Sequence, residues 1–301
     1  MAIVTPALLQ SLKTGFKGEF AQGLEMAAPQ WNKVASLIPS STASNTYGWL
    51  GQFPGFREWV GDRVLKDMAA QGYQISNKLF ESTVSVKRTD IEDDSIGVYA
   101  PLFQEMGRAA NVYPDEMIFG LLGLGHSTLC YDGQNFFDTD HPVYPNVDGT
   151  GTAVTVSNIS AGTAPAWYLL DTSRAIKPLI FQEREKPVFA SLTKEDDEYV
   201  FTKDVYRYGV RARSNVGFGF WQMAHKSTAV LDSSSFNAAM VAMMNQKSDG
   251  GRPLVITPKI LVVPPALRAA AQSLIETLLI GGGNSNPNYH AVDVLVCPWL
   301  L

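Results

Sequence analysis

Residues 89–127 read TDIEDDSIGVYAPLFQEMGRAANVYPDEMIFGLLGLGHS, and the rest of the chain can be arranged around them. Apolar side chains recur there at the spacing of one helix face, and Pro101 fits only a first helical turn, so we predict a helix over 99–111. Pro114 fits the first position of a second helix over 114–124, and Asp115 and Glu116 complement its positive N-terminus. Residues 117–124 are apolar on all sides, which indicates a buried helix. The two predicted helices form a spine on which sheets pack.

The composition is that of a folded globular protein with one large or two ordinary domains, since 46% of the 301 residues are hydrophobic and 18% are charged. No apolar run approaches the roughly 18 residues that a membrane-spanning helix needs, and the N-terminus lacks the pattern of a secretory signal. Cys130 and Cys297 lie far apart among apolar neighbours, which predicts two buried free thiols. These features favour a reducing cytoplasm.

Charge is distributed unevenly along the chain. Of the 24 Lys and Arg residues and 29 Asp and Glu residues, nine basic and six acidic ones lie in residues 1–88, which leaves 15 basic and 23 acidic ones in the remainder. Such an imbalance is either a property of solvated surfaces or an attraction between the front of one copy and the body of another.

The first 45 residues have scattered apolar side chains without a sustained period, and three glycines interrupt any long helix. We therefore predict an arm with short helical pieces over 21–26 and 29–36. The three glycines are Gly15, Gly18 and Gly23.

Residues 46–88 combine a crowded aromatic stretch with a predicted strand. Tyr47 and four further aromatics fall within thirteen residues among several Gly and Pro, so they cannot bury one another and need a partner surface. Residues 79–88 alternate between apolar and polar, which predicts a half-exposed strand that forms a hairpin with 72–75. The candidate contacts to a neighbouring subunit are Trp49, Phe53, Phe56, Arg57, Trp59, Arg63 and Lys66.

The rest of the chain mixes strands and helices. The patterns predict strands over 152–157, 179–182, 188–192, 199–201, 205–212 and 291–297, a β-rich stretch over 254–263, helices over 234–246 and 266–279, and either a strand or a helix over 166–171.

The sharpest candidate for chemistry is the turn that contains Asp138, Asp140 and His141. Two carboxylates and an imidazole could hold a metal, yet Asp and His beside Pro and Gly are also ordinary turn residues, and their spacing matches no metal motif. The sequence also lacks a phosphate-binding loop and a nucleophile elbow. We therefore expect no catalytic residue, no metal and no cofactor.

Arg207, Arg211 and Arg213 share one side of the predicted strand over 205–212. They could meet phosphate in the interior of an assembly, or they could pair with acids across strands or across an interface, for example with those in 195–198. Pairing is the favoured interpretation, because an acidic protein without a broad basic patch is a poor sequence-specific reader of nucleic acid.

Several short segments together resemble the major head subunit of Mu-like tailed phages and prophages, a capsid protein of the Hong Kong 97 fold type. Each segment is weak alone, but the combination is specific and spans most of the chain. The segments are Gly51-Gln52-Phe53-Pro54, Arg57-Glu58-Trp59, Ile91-Glu92-Asp93-Asp94, Tyr131-Asp132-Gly133 through Asp140-His141-Pro142, and Gly250-Gly251-Arg252-Pro253-Leu254 leading to Leu261-Val262-Val263-Pro264-Pro265.

The resemblance implies an α+β capsid fold in four parts. These are an N-terminal arm over 1–45, an extended E-loop hairpin over 46–88, spine helices and mainly peripheral-domain sheets over 89–230, and a mainly axial domain over 231–301.

The resemblance also implies a function without enzymatic activity. A major capsid protein self-assembles into the hexamers and pentamers of an icosahedral shell that encloses the double-stranded DNA of a tailed phage, and it binds that DNA non-specifically. Scaffold, protease, decoration and portal proteins are further candidate partners, and no membrane is involved. The expected location is the virion, after assembly in the bacterial host cytoplasm.

Two alternatives stay open at this point. An encapsulin-type compartment shell shares the capsid fold, and a metal-dependent hydrolase could use Asp138, Asp140 and His141.

Overall fold

The computed structural model describes residues 3–48, residue 50 and residues 72–300. The described helices are α1 Pro6–Met26, α2 Trp31–Val34, α3 Arg88–Glu92, α4 Ala100–Gly123, α5 Glu198–Lys203, α6 Ser233–Met244 and α7 Arg268–Ile275. The described strands are β1 Ala35–Pro39, β2 Ser44–Thr46, β3 Gln74–Ser76, β4 Lys78–Lys87, β5 His141–Val143, β6 Val154–Val156, β7 Ile159–Ser160, β8 Trp167–Leu170, β9 Leu179–Leu192, β10 Val205–Phe218, β11 Ala224–Ser227, β12 Ile260–Val263, β13 Leu279–Ile280, β14 Asn284–Ser285 and β15 Asp293–Val296.

The spine is one continuous helix, α4, and the prediction of two joined helices is wrong. Pro114 lies inside the helix, where it provides no amide donor and costs about 3 kcal/mol in an isolated helix. Burial on both sides offsets this cost, because the first half of α4 contributes Phe103 to a smaller apolar core and the second half contributes Phe119 to a larger one. The helix therefore joins the two cores, as a spine should.

The smaller core lies under a four-stranded sheet with the order β1-β9-β10-β4. The β1–β9 pair is parallel and the other two pairs are antiparallel. One face of the sheet packs on α1 and α4, where the ring of Phe16 stacks on Phe103 at 4.2 Å between centroids and meets the edge of Tyr208 at 5.0 Å. The opposite face carries the polar side chains of β4, which confirms the half-exposed strand predicted over 79–88.

The partner of β4 differs from the prediction. β4 pairs with β10 along its whole length, whereas β3 pairs with β2 and not with β4. The second half of residues 46–88 is thus part of the sheet, and it contacts the body of the subunit along its whole length. The reason is that Val86 faces the smaller core, and a sheet strand beneath α1 and α4 buries this side chain completely.

The N-terminal arm contains a 21-residue helix, α1, so the prediction of short helical pieces is wrong over residues 6–26. Gly23 is needed for close packing and does not end the helix. A Cβ atom on Gly23 would lie 1.9 Å from the carbonyl oxygen of Gln104, and one on Gly107 would lie 2.1 Å from that of Phe20. The two glycines let the backbones of α1 and α4 touch.

The larger core surrounds a five-stranded sheet with the order β15-β12-β8-β11-β7. All residues of β8 and β12 are buried, as expected for strands covered on both faces. The stretch over 166–171, predicted as either a strand or a helix, is therefore a strand, β8. The helices α6 and α7 pack against the same sheet.

Several predicted elements are confirmed and others change. The helix predicted over 234–246 is α6, which Asp232 caps, and the last strand is β15. Residues 199–201 lie in α5 and not in a strand, because Asp197 caps a helix there. The β-rich stretch forms a strand only over β12, and both cysteines are buried free thiols as predicted. Among the described helices none is both long and apolar enough to cross a membrane.

Candidate assembly surfaces

The predicted contacts to a neighbouring subunit lie outside the described residues: Trp49, Phe53, Phe56, Arg57, Trp59, Arg63 and Lys66. The aromatic stretch is described only at its beginning, where Tyr47 is buried in the larger core of its own subunit. Tyr47 therefore does not belong with the aromatics that need a partner surface.

The two segments that flank residues 51–71 are both fixed to the body through Gln182. The hydroxyl of Tyr47 donates to Oε1 of Gln182 at 2.7 Å on one side. On the other side, Nε2 of Gln182 donates to the carbonyl of Ile75 at 3.0 Å and to Oδ1 of Asn77 at 2.8 Å. Gln182 is fully buried on β9, so one side chain holds both flanking segments in place.

A second contact fixes β3 to the end of β10. The backbone amide of Phe218 donates to the hydroxyl of Tyr73 at 2.8 Å, and burial raises the pKa of that hydroxyl to about 12. A Cβ atom on Gly217 would lie 2.2 Å from Cδ1 of Ile75, so a larger residue there would displace the Ile75 side chain. The segments around residues 51–71 therefore start from rigid positions.

Asp115 is a buried residue that the sequence suggested only as a complement to a helix N-terminus. Its carboxylate accepts from the amide of Gln30 at 2.9 Å and from the amide of Trp31 at 2.6 Å. Burial raises the pKa of Asp115, while the two amides oppose that shift. The carboxylate joins the spine to the segment between α1 and β1.

The three strand arginines lie on the open face of the four-stranded sheet, as the alternation predicted. Arg211 and Arg213 both reach Glu185 on β9, at 3.4 and 3.7 Å between nitrogen and oxygen. The guanidinium of Arg207 lies 3.2 Å from the ring centroid of Tyr199. The pairing is across strands, as favoured above, but its acid is Glu185 and not one of those in 195–198.

The turn with Asp138, Asp140 and His141 does not form one ligand set. Asp138 accepts from the amides of Asn135 and Thr139 within the turn. His141 is fully buried and contacts a different carboxylate, since its Nδ1 lies 2.7 Å from Oδ2 of Asp132. Asp132 lies in the Tyr131-Asp132-Gly133 turn, whose residue types alone indicate no contact with His141.

An exposed apolar patch lies at the hairpin of β13 and β14. Leu278, Leu279 and Ile280 are all exposed there, next to a turn of three glycines. Clustered apolar side chains on the surface commonly mark contacts between proteins.

The whole chain can be compared with known proteins. A family model described as "Mu-like prophage major head subunit gpT" matches residues 9–300. The chain belongs to this family. Its members are structural head subunits, so the chain is a major capsid protein of the phage head, a virion component and not an enzyme. This confirms the resemblance and replaces the hydrolase alternative.

Relatives agree over nearly the full length of this head subunit. The major capsid protein of Escherichia phage Mu is 50% identical over 286 residues, which are 94% of each chain. A subunit of the bacteriophage JBD30 procapsid has 63% identity and a TM-score of 0.87 over 99% of this chain and 100% of that one. A subunit of the JBD30 capsid decorated with minor capsid protein trimers has 45% identity and a TM-score of 0.77 over 100% of both chains. The α+β capsid fold is confirmed.

The Gln182 contacts of the head subunit lead to a first prediction. Gln182→Leu should lower the free energy of unfolding by about 2 kcal/mol, because it removes the buried hydrogen bonds that Gln182 makes with the hydroxyl of Tyr47, the carbonyl of Ile75 and the side chain of Asn77. Urea denaturation of the isolated subunit measures this change. Gln74→Leu is the matched control, since among the described residues its side chain bonds to the hydroxyl of Ser44 in an exposed position. Equal stability of the two variants would contradict the role of Gln182.

Proposed function

We propose that this head subunit self-assembles into the hexamers and pentamers of an icosahedral shell around the double-stranded DNA of a tailed phage, and that it does so in the bacterial host cytoplasm. The observation that carries the proposal is the full-length match to a subunit of the JBD30 procapsid, with a TM-score of 0.87. A chain that shares a shell subunit's fold from end to end has the geometry needed for the same kind of assembly.

Two surfaces serve the contacts between subunits in this proposal. One is the segment with Trp49, Phe53, Phe56, Arg57, Trp59, Arg63 and Lys66, which begins and ends at the rigid pair of β2 and β3. Its basic residues would steer it towards the acidic body of the next copy. The other is the apolar patch of Leu278, Leu279 and Ile280, whose burial between copies would favour assembly.

Electron microscopy of the purified protein, alone and with its phage partners, tests the proposal. Closed particles with five-fold and six-fold capsomers are expected. A protein that stays monomeric at high concentration under both conditions would contradict it.

We further propose that the shell takes scaffold, protease, decoration and portal proteins as partners. The decorated JBD30 capsid, with its minor capsid protein trimers, supports the decoration partner.

Weak binding of DNA is a second prediction, and it concerns Arg207, Arg211 and Arg213. Glu185 already offsets the charge of Arg211 and Arg213, so we expect weak binding without sequence preference. Replacing both with Gln should reduce the slope of log K against log salt by at most about 2. Titration of a DNA duplex at several salt concentrations measures this slope.

Arg108→Gln is the control for this experiment, because Arg108 is paired with Glu105 on α4, away from the open face of the sheet. An equal change in slope for the control would show that the open face is not the DNA-binding surface. A nanomolar, sequence-selective complex at physiological salt would contradict weak binding without sequence preference.

A further inference from the structure

Three side chains with metal-binding atoms meet where the loop after α4 leads into β5. Cys130 is 5% exposed and His141 0%, and the side chain of Asp132 is 7% exposed. One ligand atom from each of the three lies within 4.8 Å of the others. Thiolate, carboxylate and imidazole are together a donor set that suits zinc, a cation of intermediate softness.

We propose that Cys130, Asp132 and His141 bind one Zn²⁺ ion, which fastens the two ends of the loop over residues 130–141. The site goes beyond the assembly function, because it concerns the stability of the single subunit. It also differs from the metal set considered in the sequence, since Asp138 and Asp140 take no part.

The distances suit an ion with only small adjustments. Sγ of Cys130 lies 3.0 Å from Oδ1 of Asp132, and Nδ1 of His141 lies 2.7 Å from Oδ2. Ligand atoms around a tetrahedral zinc ion lie about 3.3–3.7 Å apart, given metal–ligand bonds of about 2.0–2.3 Å. One ligand atom from each of the three residues lies within 4.8 Å of the other two, so shifts of about 1 Å would seat the ion.

The residues around the three side chains hold them in place. The imidazole of His141 stacks on Trp221 at 3.9 Å between centroids and 8° between planes, so the ring is held firmly. Its Nε2 is buried and has no hydrogen-bond partner among the described residues. A cavity of about 120 Å³ borders Asp132 and Gln222 and has room for water next to the Asp132 carboxylate.

The test uses the full-length subunit, stripped with a chelator and then titrated with Zn²⁺ alone. We expect one ion per chain with a Kd below about 1 µM, and a Tm that rises by about 4 °C at a free concentration 100 times Kd. Titration with Co²⁺ should produce a thiolate-to-metal charge-transfer band. Substoichiometric binding at 10 µM Zn²⁺, or a Co²⁺ spectrum without this band, would overturn the proposal.

Variants identify the ligands. Cys130→Ser and Asp132→Asn should each remove the bound ion, whereas Cys297→Ser, which changes the other buried thiol, should keep it. Loss of binding in Cys297→Ser together with retention in Cys130→Ser would also overturn the assignment. If Cys130→Ser fails to fold, the Co²⁺ spectrum of the unmodified chain decides the question.

Discussion

Replacing residues 51–71 of the head subunit with a short Gly-Ser linker should abolish shell formation and leave a folded body. The replaced segment contains three of the aromatic contact candidates, Phe53, Phe56 and Trp59. Burying one large apolar side chain is worth about 1.5–3 kcal/mol, so losing three weakens a contact by roughly 5–9 kcal/mol, more than a thousandfold in affinity. Electron microscopy and light scattering of the variant measure the loss.

The ends of this replacement follow from the structure. Tyr73 and Ile75 pack on β10 and bond to the body, so a cut that reached residue 75 would damage the fold as well as the contact. With β2 and β3 left intact, circular dichroism and the Tm of the variant should match those of the unmodified subunit. Closed shells of normal size from the variant would show that residues 51–71 are dispensable for assembly.

Gly107→Ala should be the most destabilising single-methyl change in the spine, by about 3 kcal/mol or more. The new Cβ would lie 2.1 Å from the carbonyl oxygen of Phe20 and 2.9 Å from the amide of Leu24, both of them backbone atoms of α1. Backbone cannot rotate away as a side chain can, so α1 must separate from α4 and expose part of the smaller core. The free energy of unfolding in urea measures the effect.

Gly18→Ala is the matched control on α1. A Cβ atom there meets nothing within 4 Å, and alanine is favoured over glycine inside a helix by about 1 kcal/mol, so this variant should be slightly more stable. The same chemical change thus has opposite signs at two positions. If the two variants have equal stability, the helix crossing is not as tight as the structure has it.

Gly23 and Gly107 explain why the arm differs from its prediction. Glycine lowers helix propensity, and three of them suggested an interrupted segment. Tertiary contact overrides that preference where Gly23 lets two helices approach, and no pattern within residues 1–45 points to the partner, Gly107. The alternation in β4 and the helical period of α6 were visible because they reflect which face of one element is buried.

A second difference from the sequence-based prediction is at β9, which is one strand and not two. Pro187 separates the two strands predicted over 179–182 and 188–192, yet β9 continues through it. On one side, β1 pairs with β9 only as far as Glu183, so Pro187 has no strand partner there among the described residues. On the other side, the pairing of β9 with β10 is irregular between Arg211 and Arg213, next to Pro187. A missing amide donor costs little at an edge or a bulge.

Nothing in the sequence indicates the buried contacts of Gln182 and Asp115. Both side chains bond to groups 84 or more residues away along the chain, so their roles depend on the finished fold. His141 is a metal candidate in the sequence, but its partner Asp132 lies nine positions before it, and that spacing matches no known ligand motif.

The strand order of the four-stranded sheet sets the order of folding steps for the nascent chain on the ribosome. β1 and β4 must wait for β9 and β10, which leave the exit tunnel more than a hundred residues later, on the order of ten seconds at bacterial translation speeds. The five-stranded sheet closes later still, because its edge strand β15 is synthesised after β10. The proposed contact segment over residues 51–71 is therefore synthesised long before Gln182 and Phe218, so its two flanking segments gain their rigid base only after β9 and β10 have emerged.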